Sequence, residues 1–291
     1  MGMFEGAITA LVTPFRGDAV DEKALREIVE HQIANGIDGL APAGTTGESV
    51  NLSHAEFEKV VRITIEQARG RVPVIPGVGT ASTRHTLELT QIAKSLKAEG
   101  VLVVSPYYNR PTQEGLYQHF KAVAELGVPV MLYNIPGRCG VDIALETMER
   151  LAQFSSIVSI KEATGNVVRS ADILQRFGSR FTVLSGDDGI TVPIMSIGGH
   201  GVVSVASNVA PKEVAQMVKL YRSGDPLGAR IAAEKLRPLF EVLFIESSPG
   251  PTKAALAQLG RLAPEIRLPL VWPTEATQAR LRAVLGELSL S

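Results

Sequence analysis

A single cysteine, Cys139, in 291 residues excludes an intrachain disulfide and any thiolate metal cluster. No stretch approaches the ~18 apolar residues of a membrane span. The segment from Met1 to Phe15 lacks a basic region followed by an apolar run and a small-residue cleavage site, so a cytoplasmic protein is expected. Charge of one sign is also missing. The formal net charge is -1, which supplies no overall field for nucleic acid or an anionic membrane surface, and neither partner is expected. The five histidines (His31, His54, His85, His119, His200) show no H-E-x-x-H pattern or other zinc spacing, and no metal cofactor is expected. Neither a G-x-G-x-x-G turn nor a Gly-Lys-Ser/Thr phosphate loop occurs, which argues against nucleotide folds.

What is present is an alternation. Short β-branched apolar runs at Ala7 to Thr13, Gly39 to Ala43, Val74 to Gly77, Val101 to Ser105, Val130 to Asn134, Ile157 to Lys161, Thr182 to Ser185 and Gly201 to Val205 are separated by amphipathic patterns. Runs that stay apolar throughout, such as Val101-Leu102-Val103-Val104, suit a parallel sheet covered on both faces. Eight such units predict an α/β fold, a (β/α)8 TIM barrel over residues 1–224. Residues 225–291 read as a C-terminal helical appendage broken by Pro249, Pro251, Pro264, Pro269 and Pro273. Helix entries carry caps, among them Asp21 and the capping box Ser53…Glu56.

In such a barrel the loops after strand C-termini hold the active site. Lys161 ends the sixth apolar run, where burial would disfavour its ammonium and free an amine for attack on a ketone. A strand-end lysine can equally snorkel to solvent or pair with Glu162. Gly44-Thr45-Thr46-Gly47-Glu48-Ser49 can form a backbone nest for a carboxylate, or simply a tight turn. Tyr133, at the end of the fifth run, can relay a proton, and Arg138 in the Pro-Gly loop beyond it offers a fork for a carboxylate. Tyr107 and Tyr108 fill a proline-bounded loop, where burial against a ligand or a partner subunit is expected. Gly186 can line the pocket with its backbone, while Asp187 or Asp188 is expected to serve as a helix N-cap. Together these residues suggest a site that grips a small 2-oxo acid and condenses its ketone with Lys161.

The motifs Gly44-Thr45-Thr46-Gly47-Glu48, Tyr107-Tyr108-Asn109-Arg110-Pro111, Tyr133-Asn134-Ile135-Pro136-Gly137-Arg138, Lys161-Glu162-Ala163-Thr164-Gly165 and Gly186-Asp187-Asp188 closely resemble the dihydrodipicolinate synthase family, within the pyruvate-dependent class I aldolase (N-acetylneuraminate lyase) superfamily. The resemblance runs from Phe4 to about Pro269. It implies a lyase of lysine and diaminopimelate biosynthesis that condenses pyruvate with L-aspartate 4-semialdehyde, with no cofactor beyond the covalent imine at Lys161. It further implies that Thr45 and Thr46 hold pyruvate's carboxylate, that Tyr133, Thr45 and Tyr108 relay protons, that Arg138 binds the semialdehyde carboxylate, and that Gly186 and Val203 line the pocket. Tyr108 would then cross a dimer interface in a homotetramer built as a dimer of dimers. Ser49, His54 and Tyr107 resemble an allosteric lysine site, but Ala81 and His85 depart from it, and Cys139 stands where threonine commonly follows the arginine. Two alternatives remain: a sister aldolase acting on N-acetylneuraminate or a 2-keto-3-deoxy sugar acid, and a catalytically silent barrel with a binding role.

Overall fold

The computed structural model of the protein describes residues 3–290; Met1, Gly2 and Ser291, at the outer ends of the two expected units, lie outside them. Seven parallel strands form one sheet: β1 (Gly6–Ala10), β2 (Gly39–Ala41), β3 (Val101–Val104), β4 (Val130–Asn134), β5 (Ile157–Glu162), β6 (Thr182–Ser185) and β7 (Gly201–Ser204). Their spatial order is β2-β1-β7-β6-β5-β4-β3. The two edges, β2 and β3, are bridged by the segment 73–78.

That segment contains Val74 to Gly77, expected above as the third of eight strands, and here the structure differs. It makes only two isolated pairings, Leu40 with Val74 and Gly77 with Leu102. Pro73 and Pro76 are the reason, since neither carries an N–H for a ladder. Their carbonyls still accept, from Leu40 N and Leu102 N at 2.9 Å each, and Val78 N donates to Leu102 O at 2.9 Å. The ring is therefore nearly closed, and the architecture is a TIM barrel. A small antiparallel pair, Phe15–Arg16 with Ala19–Val20, follows β1 and was not foreseen.

Helices surround the ring: α1 (Glu22–Ala34), α2 (His54–Ala68), α3 (Thr83–Ser95), α4 (Gln113–Ala124), α5 (Leu145–Leu151), α6 (Val167–Phe177), α7 (Thr191–Ser196) and α8 (Pro211–Arg222). The expected caps are present. Asp21 accepts from Ala24 N, and Ser53 and Glu56 form the reciprocal capping box. Three more helices, α9 (Pro226–Val242), α10 (Gly250–Gln258) and α11 (Glu275–Glu287), make the C-terminal helical part. Their buried Leu236, Leu239, Leu256 and Leu281 join one apolar cluster with Leu11, Leu25 and Leu40 of the barrel, so they pack on it directly.

Inside the ring, Ile8, Ala41, Ile75, Leu102, Met131, Tyr133, Leu184 and Val203 form a separate apolar cluster. One irregularity decides what joins it. Val130 pairs with Ile157, but the next pair is Met131 with Ser159, so Val158 is an extra residue in β5. Ile157 and Ile160 both pack outward under the helices, whereas Val158 packs against the interior cluster. Strict alternation from Ile157 would turn Lys161 outward; the bulge reverses the parity and leaves Lys161 beside inward-facing Tyr133.

Candidate active site

Lys161 is 5% exposed and closes the barrel mouth between β4 and β6, in register with Tyr133 on one side and Leu184 on the other. Its Nζ stands 4.2 Å from the centroid of the Tyr133 ring. Neither ordinary alternative for this lysine holds. It does not reach bulk water, and Glu162 faces other partners, accepting from Asn134 Nδ2 at 3.1 Å and from Arg169 Nε at 3.1 Å. Burial pulls the Lys161 pKa down to about 8, further aided by the Arg138 charge and opposed by the Asp188 charge. The Tyr133 ring face also favours an ammonium, so desolvation outweighs two effects of opposite sign. At neutral pH, roughly one such lysine in ten carries a free amine, against about one in 3,000 at the ordinary lysine value.

Tyr133 is 6% exposed, and burial drives its phenol far above the ordinary value. A hydrogen bond to the Thr45 side chain and the Arg138 charge work against that rise. A phenol held protonated in this way is suited to passing a proton without becoming a resident anion.

Thr45 and Thr46 sit in the loop after β2. The turn bonds there run from Gly47 N and Ser49 N to Gly44 O, at 3.0 and 3.1 Å, and from Glu48 N to Thr45 O at 3.1 Å; the Thr45 and Thr46 amides take no part in them. Gly47 is held under the loop by Thr13 Oγ1, which donates to its carbonyl at 2.7 Å, and a Cβ at Gly47 would lie 2.9 Å from Ala43 N. Only glycine fits that approach.

The loop has an anchor that sequence reading passed over. Glu48, quoted above only as part of a motif, is fully buried and accepts at 2.6 Å from Lys253 Nζ of α10, also fully buried, and at 3.0 Å from Arg267 N. Lys253 stacks 4.4 Å over Phe15, and Arg267 lies 4.1 Å over the same ring. Glu48 holds a left-handed φ of 55° to make these contacts. A sequence separation of 205 residues gave no local signal for the pair.

Of Asp187 and Asp188, either of which the sequence offered as a helix cap, the structure uses the first. Asp187 caps the turn, through Gly189 N at 2.9 Å. Asp188 is instead buried beneath the site, accepting from Ser204 Oγ at 2.5 Å and from Val205 N and Ala206 N at 3.0 Å each. Gly186 forms a wall, since a Cβ there would lie 2.5 Å from Ala163 Cβ and 3.1 Å from Lys161 Cε. Val203 is buried in the interior cluster with Tyr133.

Arg138 lies on a single helical turn, Pro136–Cys139, where the sequence suggested a loop, and its side chain is exposed at the rim. Cys139 is buried and its thiol is pushed up to about 11, so a reactive thiolate is disfavoured. Tyr108 is not brought to Lys161 by its own chain. It is 93% exposed with φ 71°. Ser49 and Tyr107 line a separate cavity of about 110 Å³ with His85, and His54 reaches that cavity's edge only through its contact with His85.

The sequence model of the "Dihydrodipicolinate synthetase family" matches residues 3–288. The chain belongs to this family. It is 50% identical to the 4-hydroxy-tetrahydrodipicolinate synthase of Syntrophus aciditrophicus over 289 residues, 99% of both chains. The solved dihydrodipicolinate synthase of Thermotoga maritima superposes with a TM-score of 0.97 at 44% identity, covering 99% of this chain and 100% of that one. The chloride-inhibited dihydrodipicolinate synthase of Acinetobacter baumannii, solved in complex with pyruvate, superposes at 0.96 with 42% identity and 99% coverage of each chain. Family membership thus rests on the whole barrel together with its C-terminal helices.

Proposed function

We propose that this chain is a 4-hydroxy-tetrahydrodipicolinate synthase, a lyase that condenses pyruvate with L-aspartate 4-semialdehyde through an imine on Lys161. The observation that carries the reading is a desolvated amine, with a pKa near 8, packed on the ring of a buried phenol in the next strand. The likeness to synthases at up to 50% identity over nearly the full chain supports the substrate pair.

In this reading the Thr45–Thr46 turn receives pyruvate's carboxylate and presents its C2 carbonyl to Lys161 Nζ. Amine attack gives a carbinolamine; loss of water, with Tyr133 returning a proton to the leaving hydroxyl, gives the imine. Removal of a C3 proton yields an enamine, whose C3 attacks the aldehyde carbon of the semialdehyde while the new alkoxide is protonated. Attack of the semialdehyde's amino nitrogen on the imine carbon then closes the ring and releases Lys161. Arg138, exposed at the rim, holds the carboxylate of the second substrate in this reading. No metal or organic cofactor enters these steps.

Tyr108 completes the relay in this reading only from a neighbouring subunit, which accords with its 93% exposure and with a homotetramer built from tight dimers. Among the described residues, no helix is long and apolar enough to cross a membrane. We read the enzyme as cytoplasmic, with residues 1–224 carrying the site and 225–291 bracing it through Lys253.

The test is product formation with purified enzyme, pyruvate and L-aspartate 4-semialdehyde, followed by a coupled reductase. Turnover that requires both substrates supports the reading. Cleavage of N-acetylneuraminate or of a 2-keto-3-deoxy sugar acid, with no semialdehyde-dependent turnover, would replace it with a sister aldolase.

A further inference from the structure

The five histidines show no metal spacing along the chain, yet the fold brings two of them together. His54 is the first residue of α2, and His85 lies in the first turn of α3. Their Nε2 atoms are 2.6 Å apart, with ring centroids separated by 4.7 Å. At most one proton fits between those nitrogens, so at least one of them presents a lone pair. Glu88, three residues beyond His85 on the same face of α3, places Oε2 3.9 Å from His54 Nε2. The ligand atoms of all three residues lie within 4.8 Å of one another.

We propose that His54, His85 and Glu88 form a binding site for a divalent transition metal that staples the start of α2 to the first turns of α3. In a tetrahedral zinc site, with bonds of about 2.0–2.2 Å, neighbouring nitrogen and oxygen ligands stand roughly 3.3–3.5 Å apart. The separations observed here, 2.6 Å between the imidazole nitrogens and 3.9 Å from His54 to Glu88, bracket that spacing. The side chains of His54 and Glu88 are about half exposed, at 51% and 48%, so they are free to adjust and open to an incoming hydrated ion. The backbones beneath them are fixed: the capping box at Ser53 and Glu56 sets the position of His54, and Ser82 caps the turn that holds His85.

Two imidazoles and one carboxylate favour zinc, cobalt or nickel over magnesium or calcium, and a water would fill the fourth position. His85 also lines the 110 Å³ cavity with Ser49 and Tyr107. A bound ion would therefore fix the imidazole that any occupant of that cavity meets. The site shares no residue with the one around Lys161.

Cobalt titration of chelator-treated protein tests the proposal. We expect a visible d–d absorption band of the tetrahedral type that saturates at one ion per chain, and displacement of the ion by Zn2+ but not by Mg2+. H54A and H85A should each weaken the affinity by about tenfold or more, and E88Q by less, with near-ultraviolet circular dichroism unchanged. If either alanine variant loses its native dichroism, H54Q and H85Q serve in its place. Only the weak spectrum of octahedral aqueous cobalt, or a band that persists in a variant lacking both histidines, would overturn the site.

Discussion

Lys161 Nζ lies 4.2 Å from the centroid of the Tyr133 ring, because a one-residue bulge at Val158 turns Lys161 into the barrel interior that Tyr133 already faces. The proposed nucleophile and its proposed proton partner are thus adjacent by register, and loops are not needed to bring them together. Each is nearly free of solvent, so the chemistry of the pair is governed by desolvation.

Removing the amine should abolish turnover while sparing the fold. Lys161→Ala is expected to lower kcat by roughly three orders of magnitude or more, the scale of losing a covalent nucleophile. Thermal unfolding and circular dichroism should remain close to those of the parent, because Nζ packs on the Tyr133 ring and, among the described residues, no hydrogen-bond network of the barrel runs through it. A variant that retained more than a tenth of parental turnover would remove Lys161 from the mechanism.

The pH profile should report the amine. With a pKa near 8, the reactive neutral form grows as pH rises, so kcat/KM for pyruvate should climb about tenfold per unit below pH 8 and level off above it. Arg138 lowers this pKa and Asp188 raises it. Arg138→Met should therefore move the limb to higher pH, and Asp188→Asn should move it to lower pH. Shifts of the same sign in both variants would contradict the assigned electrostatics.

Arg138→Ala should also separate the two substrates. Losing the proposed charge-assisted contact to the semialdehyde carboxylate should reduce kcat/KM for that substrate by about 10–100-fold. Trapping of the pyruvate imine, measured above the shifted limb, should fall much less. Equal losses for both substrates would place Arg138 elsewhere in the mechanism.

The buried Glu48–Lys253 pair yields a stability prediction. Lys253→Met leaves the Glu48 carboxylate buried with the Arg267 amide but without its cationic partner, and should cost about 3–5 kcal/mol in denaturant unfolding. The double variant E48Q/K253M should recover much of that loss. The KM for pyruvate should rise in both, because Glu48 shapes the turn that carries Thr45 and Thr46. An additive double variant would show that the two side chains do not act as a pair.

The sequence revealed the barrel through local signals: apolar runs for the strands, Asp21 and Ser53 for the helix starts, and glycine turns at Gly47 and Gly186. Lys161 and Tyr133 could be found because they stand at strand ends, and Thr45 because it lies in the glycine-flanked loop after one. The long-range features were hidden. The Val158 bulge leaves no mark in an apolar run, and Pro73 and Pro76 remove ladder bonds while keeping their segment in the ring. Glu48 and Lys253 find each other only once the C-terminal helices pack, and Asp188 looked like a cap because its partners, Ser204, Val205 and Ala206, lie on the next strand and the turn after it. His54 and His85, 31 residues apart, lay outside every local spacing rule for the same reason.

The most direct test is borohydride reduction of the protein in the presence of pyruvate, followed by peptide mass mapping. The account predicts a reduced pyruvyl adduct on the peptide containing Lys161, absent when pyruvate or borohydride is omitted. An unmodified Lys161, or an adduct on a different lysine such as Lys253, would contradict it.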